Sequence, residues 1–275
     1  VASALPNFLI LERQLGETVD GDLVAISPPS LGVESTSYKA FRDENAERPT
    51  IVASSARDGM VHFFRAADGY ELMSFVPRLA WQNMRSGVDR PGSGVLDADG
   101  PLAAADVAEC RSLGEGNADC PAEVGNLSFR TVVVGGLGRG GANVFGIDLT
   151  DLTEAFDPDN DRRALASGDL GTWNVVNAPG LDDGLDFDDS TYQSDGLGLS
   201  SSRPTLTYVR NGNRIEAAVI VGCGDDPDAD TAVLAREEGV GRCVLVLNAM
   251  TGELIRRFQN ADGVEGGVPL DRPMV

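Results

Sequence analysis

Two stretches of this chain follow one plan, and a recurring plan constrains a fold more than any single motif. RPTIVASSARDGMVHFFRAADGYELMSFV ends at Val76; IEAAVIVGCG, an insertion and GRCVLVLNAMTGELIRRF end at Phe258. Each is preceded by an inner segment that opens at Ser27-Pro28-Pro29 or at Ser202-Arg203-Pro204. An apolar strand then runs out into small residues, turns, and returns as a second apolar strand. A further turn at Asp68-Gly69 or Thr251-Gly252 leads to a last strand ending in an aromatic. A looser copy lies between them: PLAAADV, an insertion with two cysteines, then FRTVVVGGLGRGGANVFGIDLTD, closing at Thr172–Val176. The chain therefore reads as three units of about four strands, near 22–76, 101–176 and 202–258. Four-strand units in series are propeller blades. The expected fold class is all-β, a β-propeller of quinoprotein-like four-stranded blades, with residues 1–275 a single propeller domain or part of one. Propellers typically need about four to eight blades. The ring is thus expected to be incomplete in this chain, with DRPMV at 271–275 opening a further blade.

Inside the middle unit lies Gly136-x-Gly138-x-x-Gly141 after an apolar run, the spelling of a dinucleotide-binding loop. That chemistry needs a helix next, because the pyrophosphate sits on the helix N-terminus. The next residues are Ala142-Asn143-Val144-Phe145-Gly146-Ile147, β-branched and aromatic with a glycine in the middle. A glycine there costs a helix about 1 kcal/mol against alanine. The segment is expected to be a strand–turn–strand hairpin, joining the second and third strands of its unit.

Composition narrows the partners. The 275 residues carry a net charge of −21, which argues against nucleic acid, since phosphate binding needs clustered Lys and Arg. Lys39 is the only lysine. No apolar run approaches about 18 residues, so no membrane span is expected. The chain begins with Val and reads as a mature piece or a fragment of something longer. Its cysteines fall in two local pairs, Cys110 with Cys120 and Cys223 with Cys243, which suggests two disulfides and an oxidising compartment. Unpaired thiols are the alternative. Zinc is disfavoured, with no C-x-x-C and one histidine.

From these units onward the sequence resembles the propeller of the PilY family, the tip-associated adhesin and assembly proteins of bacterial type IV pili. The string at Asp58, Gly59, Met60, His62, Phe64, Ala66, Gly69, Glu71, Phe75 and Pro77 matches that family's first blade. Asp99-Gly100-Pro101 with Asp106-Val107, then Phe129 to Asp151, then Leu197-Gly198 to Ile255 come in the family's order. Arg57 replaces the family's Asn, and Gly222-Cys223-Gly224 its Gly-Asn-Gly. The von Willebrand-like N-terminal region of many members is not in this chain.

The resemblance implies a non-enzymatic pilus-tip adhesin or assembly factor, outside the cell or periplasmic during assembly. Its partners would be minor pilins and a host or abiotic surface ligand, met by rim loops such as 86–100 and 180–196. The rivals are a quinoprotein-like periplasmic dehydrogenase and a periplasmic assembly scaffold. No catalytic residues are assigned: His62 alone cannot build a triad or a three-His metal site, and it is expected to be a packed, hydrogen-bonded residue. Calcium is the candidate cofactor. Asp226, Asp228, Asp230 and Glu237 stand at positions 1, 3, 5 and 12 of an EF-hand rhythm, though Thr231 replaces the glycine of the sharp turn. Asp157, Asp159 and Asp161 share the same start, with Arg162 in that place. The family's propeller calcium loop has a further Asp where Leu234 and Leu165 stand. A solvated acidic loop is the plainer reading of both clusters.

Overall fold

In this computed structural model the described residues are 15–18, 21–32, 35–85, 98–114, 120–150, 171–177, 191–194, 196–225 and 240–259. They form three sheets in chain order. The first is antiparallel and runs β1 (Leu23–Ile26), β2 (Ile51–Ser55), β3 (Val61–Arg65), β4 (Glu71–Phe75). The second runs β5 (Leu102–Ala108), β7 (Phe129–Gly136), β8 (Asn143–Asp148), β9 (Thr172–Val176), also antiparallel, and gains β10 (Thr191–Gln193) parallel to β9. The third runs β11 (Thr205–Asn211), β12 (Arg214–Gly222), β13 (Cys243–Asn248), β14 (Leu254–Gln259), with β6 (Cys110–Ser112) laid along the start of β12.

The sheets stack face to face, and the middle one is buried on both sides. That is why its strands read as continuous apolar runs rather than alternating ones. Val133, Phe145 and Ile147 pack toward Phe63, Met73 and Phe75 of the first sheet. Their neighbours Val132, Val134, Val144 and Val175 pack toward Val219, Leu245 and Leu247 of the third. The two-residue period of a strand delivers alternate side chains to the two cores. Phe75 and Phe145 meet at 5.4 Å between ring centroids, a tilted pair across the first interface.

Trp173 fills the second interface. Its indole lies against Gly146 and Gly252, positions where any Cβ would overlap the ring. Its Nε1 donates to the carbonyl of Ala249 at 3.0 Å. A tryptophan so placed stabilises the interface by about 3–5 kcal/mol relative to alanine. The glycine that argued against a helix is therefore a seat for an aromatic ring.

Two helices interrupt the β plan, and the strand pattern of the sequence does not foretell them. α1 (Thr36–Glu44) lies between β1 and β2, capped by Ser35 Oγ, which accepts the Tyr38 N–H at 3.0 Å. It buries only Tyr38 and Phe41, the former edge-on to Phe129 at 5.0 Å. Two anchors in nine residues leave no sustained apolar stripe in the sequence. α2 (Arg78–Arg85) comes after β4, and its first N–H groups are capped by neighbours. Arg78 N–H donates to Asn174 Oδ1 at 3.1 Å and Leu79 N–H to Asn143 Oδ1 at 3.0 Å.

A buried polar network ties the first unit to the second. Arg48, 2% exposed, donates to Thr131 Oγ1 at 2.7 Å and to the Ser27 carbonyl at 2.5 Å. Thr131 Oγ1 donates to Asp106 at 2.6 Å, and the Tyr38 hydroxyl donates to the same carboxylate at 3.1 Å. Such a network adds little net energy but fixes one arrangement of its parts, because half-satisfied alternatives are costly.

Candidate functional site

The Gly-rich segment is a hairpin turn. After Gly136 the chain makes a single 3-10 turn (Gly138–Gly140) and re-enters as β8, antiparallel to β7 with Gly136 opposite Val144. No helix starts at Ala142, so no helix N-terminus is offered to a pyrophosphate. Its small residues serve close packing instead. A Cβ at Gly136 would overlap the backbone of Ser200. Ser200 Oγ accepts the Leu137 N–H at 2.9 Å and donates to the Asn143 carbonyl at 2.7 Å, which clamps the turn to the segment leading into the third sheet. Beside it Leu199 bridges Asp225, and Gly224, at φ +81°, lies directly on the Leu199 carbonyl. Asp225 is the last described residue before one of the acidic stretches.

The base of that stretch is closed covalently. Cys223 and Cys243 form a disulfide across β12 and β13, with Cα atoms 5.1 Å apart, and the Cys223 N–H donates to the Cys243 carbonyl at 2.8 Å. Both half-cystines are buried in the core between the second and third sheets. Asp226, Asp228, Asp230 and Glu237 lie outside the described residues, as do Asp157, Asp159 and Asp161. Most of 86–100 and 180–196 also lies outside them. Among the described residues no group of three His, Cys, Asp or Glu is placed to hold a metal.

His62 is 1% exposed and packed, as the alternation of its strand implied. It is also the centre of a charged cluster that the sequence did not announce. Its Nδ1 lies 2.6 Å from Glu71 Oε1, and its Nε2 3.0 Å from Asp58 Oδ2. Ser74 Oγ donates to the same Glu71 oxygen at 2.6 Å. Asp58 accepts the N–H of Met60 at 3.1 Å and of Gly16 at 3.0 Å, so the segment 15–18 is fastened over the turn. Glu17 reinforces it through Arg57 at 3.1 Å. Burial opposes the imidazolium, yet the bonds from Asp58 and Glu71, with their charges, outweigh it and raise the His62 pKa above its ordinary value. Burial likewise opposes the Asp58 carboxylate, but His62 and the two N–H donors hold its pKa below the ordinary range. With both ring nitrogens engaged by carboxylates, neither is open to a substrate.

The remaining cysteines sit on the insertion between β5 and β7. Cys110 is half-buried, Cys120 is buried, and their thiols are in hydrogen-bonding contact without being joined.

A cleft of about 710 Å³ opens between α1 and the stretch entering β7, with Phe41 and Phe129 among its lining. Its polar groups are largely spent internally: Ser37 on the Val124 carbonyl, Asn45 on that of Phe41, Arg130 on Glu109. Among the described residues no helix is long and apolar enough to cross a membrane.

Fold and site together define a mostly β protein of serially stacked antiparallel sheets, whose charged clusters and glycines hold the frame. No protein-family model matches the chain. It is similar to a type IV pilus biogenesis factor PilY1 homolog of Xylella fastidiosa, 29% identical over 218 residues, covering 79% of this chain and 13% of that protein. It is also similar to the type IV pilus biogenesis factor PilY1 of Pseudomonas aeruginosa, 26% identical over 275 aligned positions, covering 93% of this chain and 19% of that protein. Among solved structures it aligns with the P. aeruginosa PilY1 C-terminal domain at 24% identity and a TM-score of 0.49, covering 84% of this chain and 34% of that one. The likeness to PilY1 proteins runs along most of the chain. The chain spans less than a fifth of the length of these curated relatives, 13% and 19%.

Proposed function

We propose that this chain is part of a non-enzymatic type IV pilus biogenesis factor, acting at the pilus tip as an adhesin and assembly platform. The observation that carries the reading is the relationship to PilY1 proteins along most of the chain, 93% of it in one case. The arrangement of the sheets supports the finer claim that they are blades of a β-propeller. β5 lies beside both β1 and β11, so the first strands of the three sheets are neighbours, as the inner strands around a propeller axis would be. The hydroxyl of Tyr208 on β11 accepts the Ala108 N–H of β5 at 2.7 Å, which fixes one such contact. On this reading the units near 22–76, 101–176 and 202–258 are three blades of one domain, and 271–275 opens another.

A stiff propeller presents its connecting segments on a rim, where recognition is carried. Minor pilins would dock by adding a strand to an outer sheet edge, and the acidic segments would meet a surface ligand with calcium bound. The protein would act at the cell surface, or in the periplasm during assembly. The test is binding of the full-length protein to purified minor pilins, with a deletion strain complemented by the full-length gene. Saturable binding and restored piliation are expected. A protein that binds no minor pilin, in a deletion strain with normal pili and surface attachment, would overturn the reading.

A further inference from the structure

The insertion at 109–128 does more than connect β5 to β7. It leaves the second sheet and pairs with the third, with β6 antiparallel to β12 and Cys110 opposite Glu216. Leu113 N–H donates to the Asn213 carbonyl at 2.7 Å, and Ala217 N–H reaches the Glu109 carbonyl at 3.4 Å. On its return the Ser112 N–H donates to the Pro121 carbonyl at 3.0 Å, and the Val124 carbonyl accepts Ser37 Oγ of α1 at 2.8 Å. The insertion is a strap that touches all three units, and its two cysteines sit at the narrow point where outgoing and returning chain lie together.

We propose that Cys110 and Cys120 close this strap as a second disulfide. Such a closure is independent of any pilus role. The Ser112 N–H to Pro121 carbonyl bond, 3.0 Å, holds the two cysteine-bearing segments side by side, and each thiol neighbours the other. The Cys223–Cys243 bridge in the same chain shows that this sequence is built for a compartment in which disulfides persist. Cys120 is buried and Cys110 half-buried, so Cys110 is the entry point. Its thiolate attacks a sulfur of an external disulfide, protein or small molecule, and expels one thiolate. Cys120 then loses its proton, attacks the Cys110 sulfur of the mixed disulfide and expels the second. The strap gives up two electrons and two protons, and the external disulfide becomes two thiols. Burial, then the neighbouring Cys120, pushes the Cys110 thiol up to about 12. Closure from the reduced, folded state should therefore accelerate roughly tenfold per pH unit between about pH 7 and 9, tracking the thiolate fraction.

The full-length protein, purified without reductant and incubated with oxidised glutathione, is alkylated and digested with trypsin. Arg111 lies between the two cysteines, so cleavage there leaves their peptides held together only by a disulfide. A linked pair of 86–111 with 112–130 is expected, since the Arg90–Pro91 bond resists trypsin, beside the linked Cys223 and Cys243 peptides. Amides of 111–113 and 214–217 should exchange at least about tenfold faster in a Cys110→Ser/Cys120→Ser variant than in the oxidised protein. Recovery of Cys110 and Cys120 both alkylated while Cys223–Cys243 stays linked would overturn the proposal. So would Cys110 joined to any other cysteine.

Discussion

His62 is the only histidine in the chain, and two carboxylates bracket it. Its raised pKa means that the imidazolium stabilises the fold fully below about 6.5, its unfolded value, and that this contribution is lost as pH rises through the higher folded value. Asp58 works in the opposite sense. Its depressed pKa gives stability above its unfolded value of about 3.8, lost as pH falls through the folded one. The cluster is strongest between those limits. His62→Gln should cost about 1–3 kcal/mol near pH 5.5, and the gap to wild type should narrow by about pH 9. Denaturant melts of both proteins across that range provide the check, and a gap that does not change with pH would show that the imidazole is neutral. The cluster could not be read from sequence alone. Asp58, His62 and Glu71 were visible in the family string, but their meeting depends on the hairpin register. A bulge between Phe63 and Phe64 pairs Phe64 with Glu71, while His62 stays opposite Ser74.

At the scale of strands and turns, most of the architecture was legible. Runs such as Thr131–Val134 and Val219–Val221 read as apolar strands, and the Asp/Thr-Gly pairs marked the turns between them. What the pattern hid is equally physical. α1 is anchored by two side chains, and β10 is three residues long. β6 pairs with a strand about a hundred residues away, and no local preference records such a partner. Gly146 was legible as an obstacle to the helix that a nucleotide loop needs, but the tight packing of the glycines was not. Gly224→Ala tests that packing, because it combines a left-handed backbone at φ +81° with a methyl group pressed onto the Leu199 carbonyl. A loss of about 2–4 kcal/mol is expected in urea unfolding, with an unchanged m-value. A variant as stable as wild type would mean that Leu199 and Gly224 do not meet so closely.

For the whole molecule, the acidic balance and the two carboxylate clusters pose the calcium question. The full-length protein should bind calcium by titration calorimetry with Kd of about 10⁻⁴–10⁻³ M, the range of extracellular modules. Asp226→Asn/Asp228→Asn/Asp230→Asn should weaken that binding at least about tenfold, and the same change at Asp157, Asp159 and Asp161 tests the second cluster. Absence of heat at millimolar calcium would leave both as solvated acid. The strap has a consequence of another kind. A pull on the chain from both sides would open antiparallel hairpins like a zipper, one rung at a time. A segment rooted in the second sheet and paired with the third must be stripped away before those two sheets can part. Under tension, then, they would yield together.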